Sequence, residues 1–123
     1  MMDVAEKKGE TKTRFLVKIG NRLEVKYLDN VILFYAEGKT VYLVTNDNKK
    51  YIIDYTLEQL EGELLDPFKF FRINRKYILN INSINYVKQY INHRLIIYTE
   101  QEFNGDLIVS RDKVKAFKSW LNQ

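Results

Sequence analysis

The chain has 123 residues, 46% of them hydrophobic, which is enough for one modest core and a single domain. It contains no cysteine, so disulfides and thiolate metal sites are excluded, and a reducing compartment, the cytoplasm by default, suits the composition. Twenty Lys and Arg against sixteen Asp and Glu leave a net charge of only +4, so the placement of the cations matters more than their total.

Residues 1–14, "MMDVAEKKGETKTR", mix charges and lack large apolar groups. They read as a flexible arm, a linker remnant or residues left by cloning, with the domain proper at 15–121. No apolar run approaches the ~20 residues of a membrane span, and the opening lacks a secretory hydrophobic centre. "RFLVKIG" and "RLEVKYL" then predict two half-buried strands around Gly20-Asn21. "NVILFYAEGKTVYLVTNDNKKYIIDYT" carries β-branched and aromatic runs broken at Glu37-Gly38-Lys39 and Asn46-Asp47-Asn48, residues that tolerate positive φ and form turns. An antiparallel meander is expected there.

In "TLEQLEGELLD", Thr56 and Gln59 have the spacing of a capping box, Leu57, Leu60 and Leu64 share a helical face, and Pro67 ends the segment. Strand-like "KFFRI", "KYILNI", "SINYVKQYI", "RLIIYT" and "LIVS" follow, with Asn92-His93 at a hairpin tip. The last element, "SRDKVKAFKSWL", reads as a terminal helix that Ser110 caps and that docks through Val114, Phe117, Trp120 and Leu121. Most aromatics, Phe68, Phe70, Tyr86 and Tyr98 among them, alternate within strands and are assigned to core packing.

Catalysis finds little support. His93 is the only histidine, and a hairpin tip is a poor seat for a lone general base. One His, no Cys and dispersed carboxylates assemble no metal site, and there is no Gly-rich phosphate loop or nucleophile elbow. No enzyme activity, cofactor or metal is expected.

The distribution of charge points elsewhere. From Pro67 to Thr99 the bases Lys69, Arg72, Arg75, Lys76, Lys88 and Arg94 meet no Asp or Glu, and the acids gather in "TLEQLEGELLD" and "EQEFNGD". Within "FFRINRKYILNIN", a continuous strand through 74–76 would drive Asn74 and Lys76 to one face and Arg75 to the other, one of which belongs to the core. A local break that turns the three side chains outward avoids burying charge.

The order "VILFYAEGKTVYLVT", "FFRINRKYILNINSI" and "GDLIVSRDKVKAFKSWL" resembles the LytTR DNA-binding domain of bacterial transcription regulators, from about Phe15 to Leu121. Phe71, Arg72, Ile73, Asn74, Arg75, Lys76, Tyr77, Leu79, Asn80 and Ile84 occupy its most specific block, and "VSR" opens the next. Asn74 stands where many relatives carry His, so readout there is expected to differ. The resemblance implies a mainly β fold, an elongated arrangement of small antiparallel sheets with two short helices, in which loops enter successive major grooves. It places Lys39, Asn74, Arg75 and Arg111 at base contacts. It also implies direct repeats bound by two copies, and a receiver domain in a full-length response regulator.

The residue chemistry is compatible with those roles. An Arg fork can donate to guanine O6 and N7, and an Asn can pair with an adenine edge, each worth ~1 to 3 kcal/mol of discrimination. Lys39, Lys76 and Lys113 suit phosphates as flexible point charges, and Thr40 and Ser110 complete the expected phosphate contacts. The alternative for Arg111 is a surface ion pair with Asp112 or an acid nearby. Two other classes remain: a single-stranded nucleic-acid (RNA) binding β module that uses its aromatics, and a carbohydrate- or protein-binding β module.

Overall fold

In the computed structural model, which describes residues 10–123, strands β1 (Arg14–Ile19) and β2 (Arg22–Tyr27) form a separate two-stranded sheet. Gly20 makes their turn possible with a φ of +61°. Phe15 and Val17 point into the core, whereas Leu16, Leu23, Val25 and Tyr27 lie exposed on the other face. Most of the expected arm falls outside the described residues. Its end is already bonded to the fold, Lys12 N–H donating to the Leu64 carbonyl at 2.7 Å and the Thr13 carbonyl accepting from Leu28 N–H at 2.9 Å.

Strands β3 (Val31–Glu37), β4 (Thr40–Thr45) and β5 (Lys50–Ile53) make the expected meander, but two later strands extend it. β6 (Phe70–Arg72) and β7 (Tyr77–Asn80) join through β7 to the free edge of β3, giving the order β5-β4-β3-β7-β6. The first five residues of β3 are all buried. Such a continuous apolar strand is stable only when both faces of its sheet are covered.

Two cores supply that cover. On one side Phe15, Val17, Phe34, Leu57, Leu60 and Phe70 pack the hairpin and the first helix against the sheet. That helix, α1 (Leu57–Gln59), continues as a π-helical turn over Leu60–Leu64, and its capping box forms as predicted: Thr56 Oγ1 accepts from Gln59 N–H at 3.0 Å and Gln59 Oε1 from Thr56 N–H at 2.9 Å. On the other side Leu33, Ile73, Leu79, Leu95, Val109 and Phe117 join the sheet to the third layer. That layer is β8 (Ile84–Tyr90), β9 (Arg94–Thr99) and β10 (Leu107–Val109), in the order β10-β9-β8. The β8–β9 turn carries Asn92 and His93 at φ of +58° and +59°, a hairpin tip as expected.

The terminal helix departs from expectation. A 3-10 turn at Arg111–Lys113 precedes α2 (Val114–Leu121), and Ser110 makes no side-chain cap. Its hydroxyl instead faces the Ile73 carbonyl at 3.4 Å. Phe117 and Trp120 are buried, and both rings pack against Phe71. Three aromatics expected in the core are exposed: Phe68 at 68%, Tyr86 at 46% and Tyr98 at 38%. Tyr86 and Tyr98 pair across β8 and β9 on a sheet face that no other layer covers among the described residues.

Candidate nucleic-acid interface

Strand direction brings the first two predicted loops together. β3 runs toward Glu37 and is antiparallel to both neighbours, with Glu37 opposite Thr40 on β4 and Tyr35 opposite Tyr77 at the start of β7. The β3–β4 turn and the β6–β7 loop therefore leave the same end of the sheet. Ala36 N–H donates to the Lys76 carbonyl at 3.0 Å across the gap. Gly38 takes a φ of +61°, which lets two residues close the β3–β4 turn and leaves Lys39 exposed. Lys39 and Arg75 line one cleft of about 700 Å3, together with Thr56, Glu58 and Arg72.

The third region is tied to the second. Ser110 N–H donates to the Ile73 carbonyl at 3.0 Å, Asn74 Nδ2 to the Ile108 carbonyl at 2.7 Å, and Lys113 Nζ to the Arg72 carbonyl at 3.2 Å. The segment that presents Arg111 thus abuts the loop that presents Arg75, and both arginines are exposed. Among the described residues, no carboxylate lies within ion-pairing distance of Lys39, Arg75 or Arg111. The expected alternative for Arg111, a pair with Asp112, does not form.

The β6–β7 loop breaks where the sequence predicts, and Asn74 accounts for its shape. Its Oδ1 accepts from Lys76 N–H at 2.7 Å and from Tyr77 N–H at 3.0 Å, while Nδ2 holds Ile108. Pairing with adenine needs the carbonyl and the amide of one Asn free together. Here Oδ1 accepts from two amides and Nδ2 donates to one carbonyl, so Asn74 organises the loop. Lys76 is exposed, its ammonium 5.8 Å from the Tyr35 ring centre and 5.5 Å from that of Tyr77. Thr40 is half-buried at the start of β4.

Arg72 has a role that the charge pattern did not reveal. Its side chain is only 13% exposed. Nε donates to the Asn74 carbonyl at 3.2 Å and Nη2 to the Arg75 carbonyl at 2.9 Å. Nη1 reaches Glu58 at 2.9 Å and Glu61 at 3.3 Å. The hydrogen bond from Arg72 holds the Glu58 carboxyl below its ordinary range. The available signal was a strand arginine between apolar neighbours, with two acids spaced i, i+3 on a helix preceding it.

The motif's remaining residues hold the scaffold. Asn80, buried, donates Nδ2 to the Val31 carbonyl at 2.9 Å, and buried Ser83 donates Oγ to the Ile32 carbonyl at 3.2 Å. Together they fasten the end of β7 to the start of β3.

A model of the LytTR family, the LytTr DNA-binding domain, matches residues 21–122. The chain belongs to the LytTR family of DNA-binding domains. Over 113 residues this LytTR domain is 26% identical to the transcriptional regulatory protein YpdB of Escherichia coli O6:H1, a match covering 92% of this chain and 44% of that protein. The chain therefore spans less than half the length of that curated relative. It also superposes on a solved LytTr DNA-binding domain from Bacillus cereus with a TM-score of 0.79 at 20% identity, covering 91% of this chain and 99% of that one. This likeness shows the fold: three antiparallel sheets with two short helices, as the sequence predicts.

Proposed function

We propose that this LytTR domain is a non-catalytic, sequence-specific reader of duplex DNA in a bacterial cytoplasmic transcription regulator. In this reading Lys39, Arg75 and Arg111 address base edges, while Thr40, Lys76, Ser110 and Lys113 lie around them for phosphates. One observation carries it: three exposed cations, without carboxylate partners among the described residues, stand on connectors that are hydrogen-bonded to one another through Ala36, Lys76, Ile73 and Ser110. A rigid support of that kind fixes where a guanidinium ends, which base readout requires and general attraction to phosphate does not. The domain acts as the output module of a two-component response regulator, following a receiver domain, and two copies occupy direct repeats.

Selection from random duplex DNA, followed by binding at two salt concentrations, tests the proposal. A defined motif with an affinity that falls by about 0.9 log units per log unit of salt for each neutralised phosphate is expected. Recovery of no motif would reject sequence-specific reading.

A second reading has one observation in its favour. On the uncovered face of the third sheet, Tyr86 and Tyr98 stack with centroids 4.7 Å apart, and the Lys88 ammonium lies 6.0 Å and 5.7 Å from the two rings. Aromatic and basic groups on a sheet face suit single-stranded nucleic acid. The two rings already cover each other on one side, which removes half the stacking surface, so duplex reading through the loops is preferred. Competition between duplex and single strands separates the two readings.

A further inference from the structure

We propose that Glu58 and Glu61 are specificity-determining residues, acting by holding Arg72 inward. The inference rests on duplex reading through the Arg75 loop and adds a mechanism for its selectivity. Glu58 and Glu61 have side chains 73% and 48% exposed, whereas the arginine they bind is 13% exposed. Glu58 also lines the cleft that holds Lys39 and Arg75. An exposed carboxylate beside groups that meet phosphate opposes binding of any DNA. Its presence calls for a compensating role.

The guanidinium provides one. Its five N–H groups lie in one plane with fixed directions. Anchoring Nη1 between two carboxylates sets where Nε and Nη2 point, and those two donate to the carbonyls of Asn74 and Arg75. The acids thereby fix two consecutive peptide units of the reading loop, the two that flank the Arg75 Cα. The same anchoring keeps a sixth cation, Arg72 itself, away from phosphate. Both effects raise the ratio of selected to random binding, the first by stiffening the reader and the second by lowering the background. Asn74 holds the loop with three bonds of its own, so removing the acids loosens the loop without dismantling it.

The test is a Glu58→Ala/Glu61→Ala double variant, with substitutions at exposed helical positions that Ala tolerates. Three quantities are measured: affinity for the selected duplex, affinity for a scrambled duplex, and hydrogen exchange of the loop amides without DNA. Scrambled binding should rise, the ratio of selected to scrambled affinity should fall about tenfold, and amides at 74–77 should exchange faster. The salt slope should steepen by about 0.9 as Arg72 takes a phosphate, and adding Arg72→Ala should reverse that steepening. Glu58→Gln/Glu61→Gln, which keeps acceptors in place, should recover part of the ratio.

An unchanged ratio with unchanged loop exchange overturns the proposal, as does a parallel rise for both duplexes. The two readings fail differently. A wild-type domain without duplex preference rejects DNA reading and the specificity role with it, whereas a wild-type preference that survives the double variant rejects only the role of the acids.

Discussion

The Lys76 carbonyl accepts the N–H of Ala36 at 3.0 Å, so the turn carrying Lys39 and the loop carrying Arg75 stand side by side. Within that loop Arg75 and Lys76 should contribute differently. Arg75→Ala should cost ~1 to 3 kcal/mol at the selected site and little on scrambled duplex, because a bidentate base contact discriminates and a charge alone does not. Lys76→Ala should weaken both duplexes alike and reduce the salt slope by about 0.9. Fluorescence anisotropy on both duplexes over a salt series checks this. Equal losses for Arg75→Ala on both would remove it from base readout.

Asn74 should matter for stability before it matters for binding. Asn74→Ala leaves the amides of Lys76 and Tyr77 and the carbonyl of Ile108 without their partner. Some of these reach water, so a loss of ~1 to 3 kcal/mol is expected in urea unfolding with an unchanged slope. Asn74→Asp keeps an acceptor for the amides of Lys76 and Tyr77 but sets a carboxylate oxygen against the Ile108 carbonyl, so it too should lose stability. Identical stabilities for Asn74→Ala and wild type would contradict the hydrogen-bonding role.

Much of this arrangement was legible where the deciding physics is local. Gly38 and Asn92-His93 announce turns because few residues accept positive φ, Thr56 and Gln59 announce a helix start, and the charges at 74–76 announce a break. Non-local pairing was hidden. Nothing in the periodicity of β7 says that Leu79 lies opposite Leu33, and so the strands expected at "KFFRI" and "KYILNI" carry no sign that they join the meander. Alternation likewise separates the two faces of β8 and β9 without saying which is covered, which is why Tyr86 and Tyr98 were assigned to the core. The apolar neighbours of Arg72 hint at its inward turn, but the acids that hold it come from another element, and their proximity is non-local.

Acid should weaken the fold through carboxylates that are easier to ionise when folded. Glu58 is lowered from its ordinary 4.5 chiefly by the hydrogen bond from Arg72, Glu24 from 4.5 chiefly by that from Lys26, and Asp47 from 3.8 chiefly by that from Thr45. A depressed folded value means the unfolded chain binds protons first. Stability from these groups is therefore complete above the ordinary values and disappears as pH falls through the lowered ones. Urea midpoints from neutrality down to about pH 3 should decline, and Glu58→Gln should flatten the decline. A midpoint in the variant that falls as steeply as in wild type would show that the Arg72 contact contributes nothing to it.

Gly38 offers the sharpest separation of backbone from side chain. Its φ of +61° costs an L-residue about 1 to 2 kcal/mol, yet a Cβ built there meets no atom within 4 Å. Gly38→Ala therefore tests conformation alone, without a clash. The variant should lose about 1 kcal/mol of stability, or relax by reshaping the turn that presents Lys39. In the second case the stability loss shrinks and the cost moves to DNA binding, which should then fall by about as much as in Lys39→Ala, with no further loss when the two are combined. Gly38→Asn, which tolerates positive φ better, should retain both stability and binding. If Gly38→Ala kept full stability and full affinity for the selected duplex, the geometry of this turn would have no part in placing Lys39.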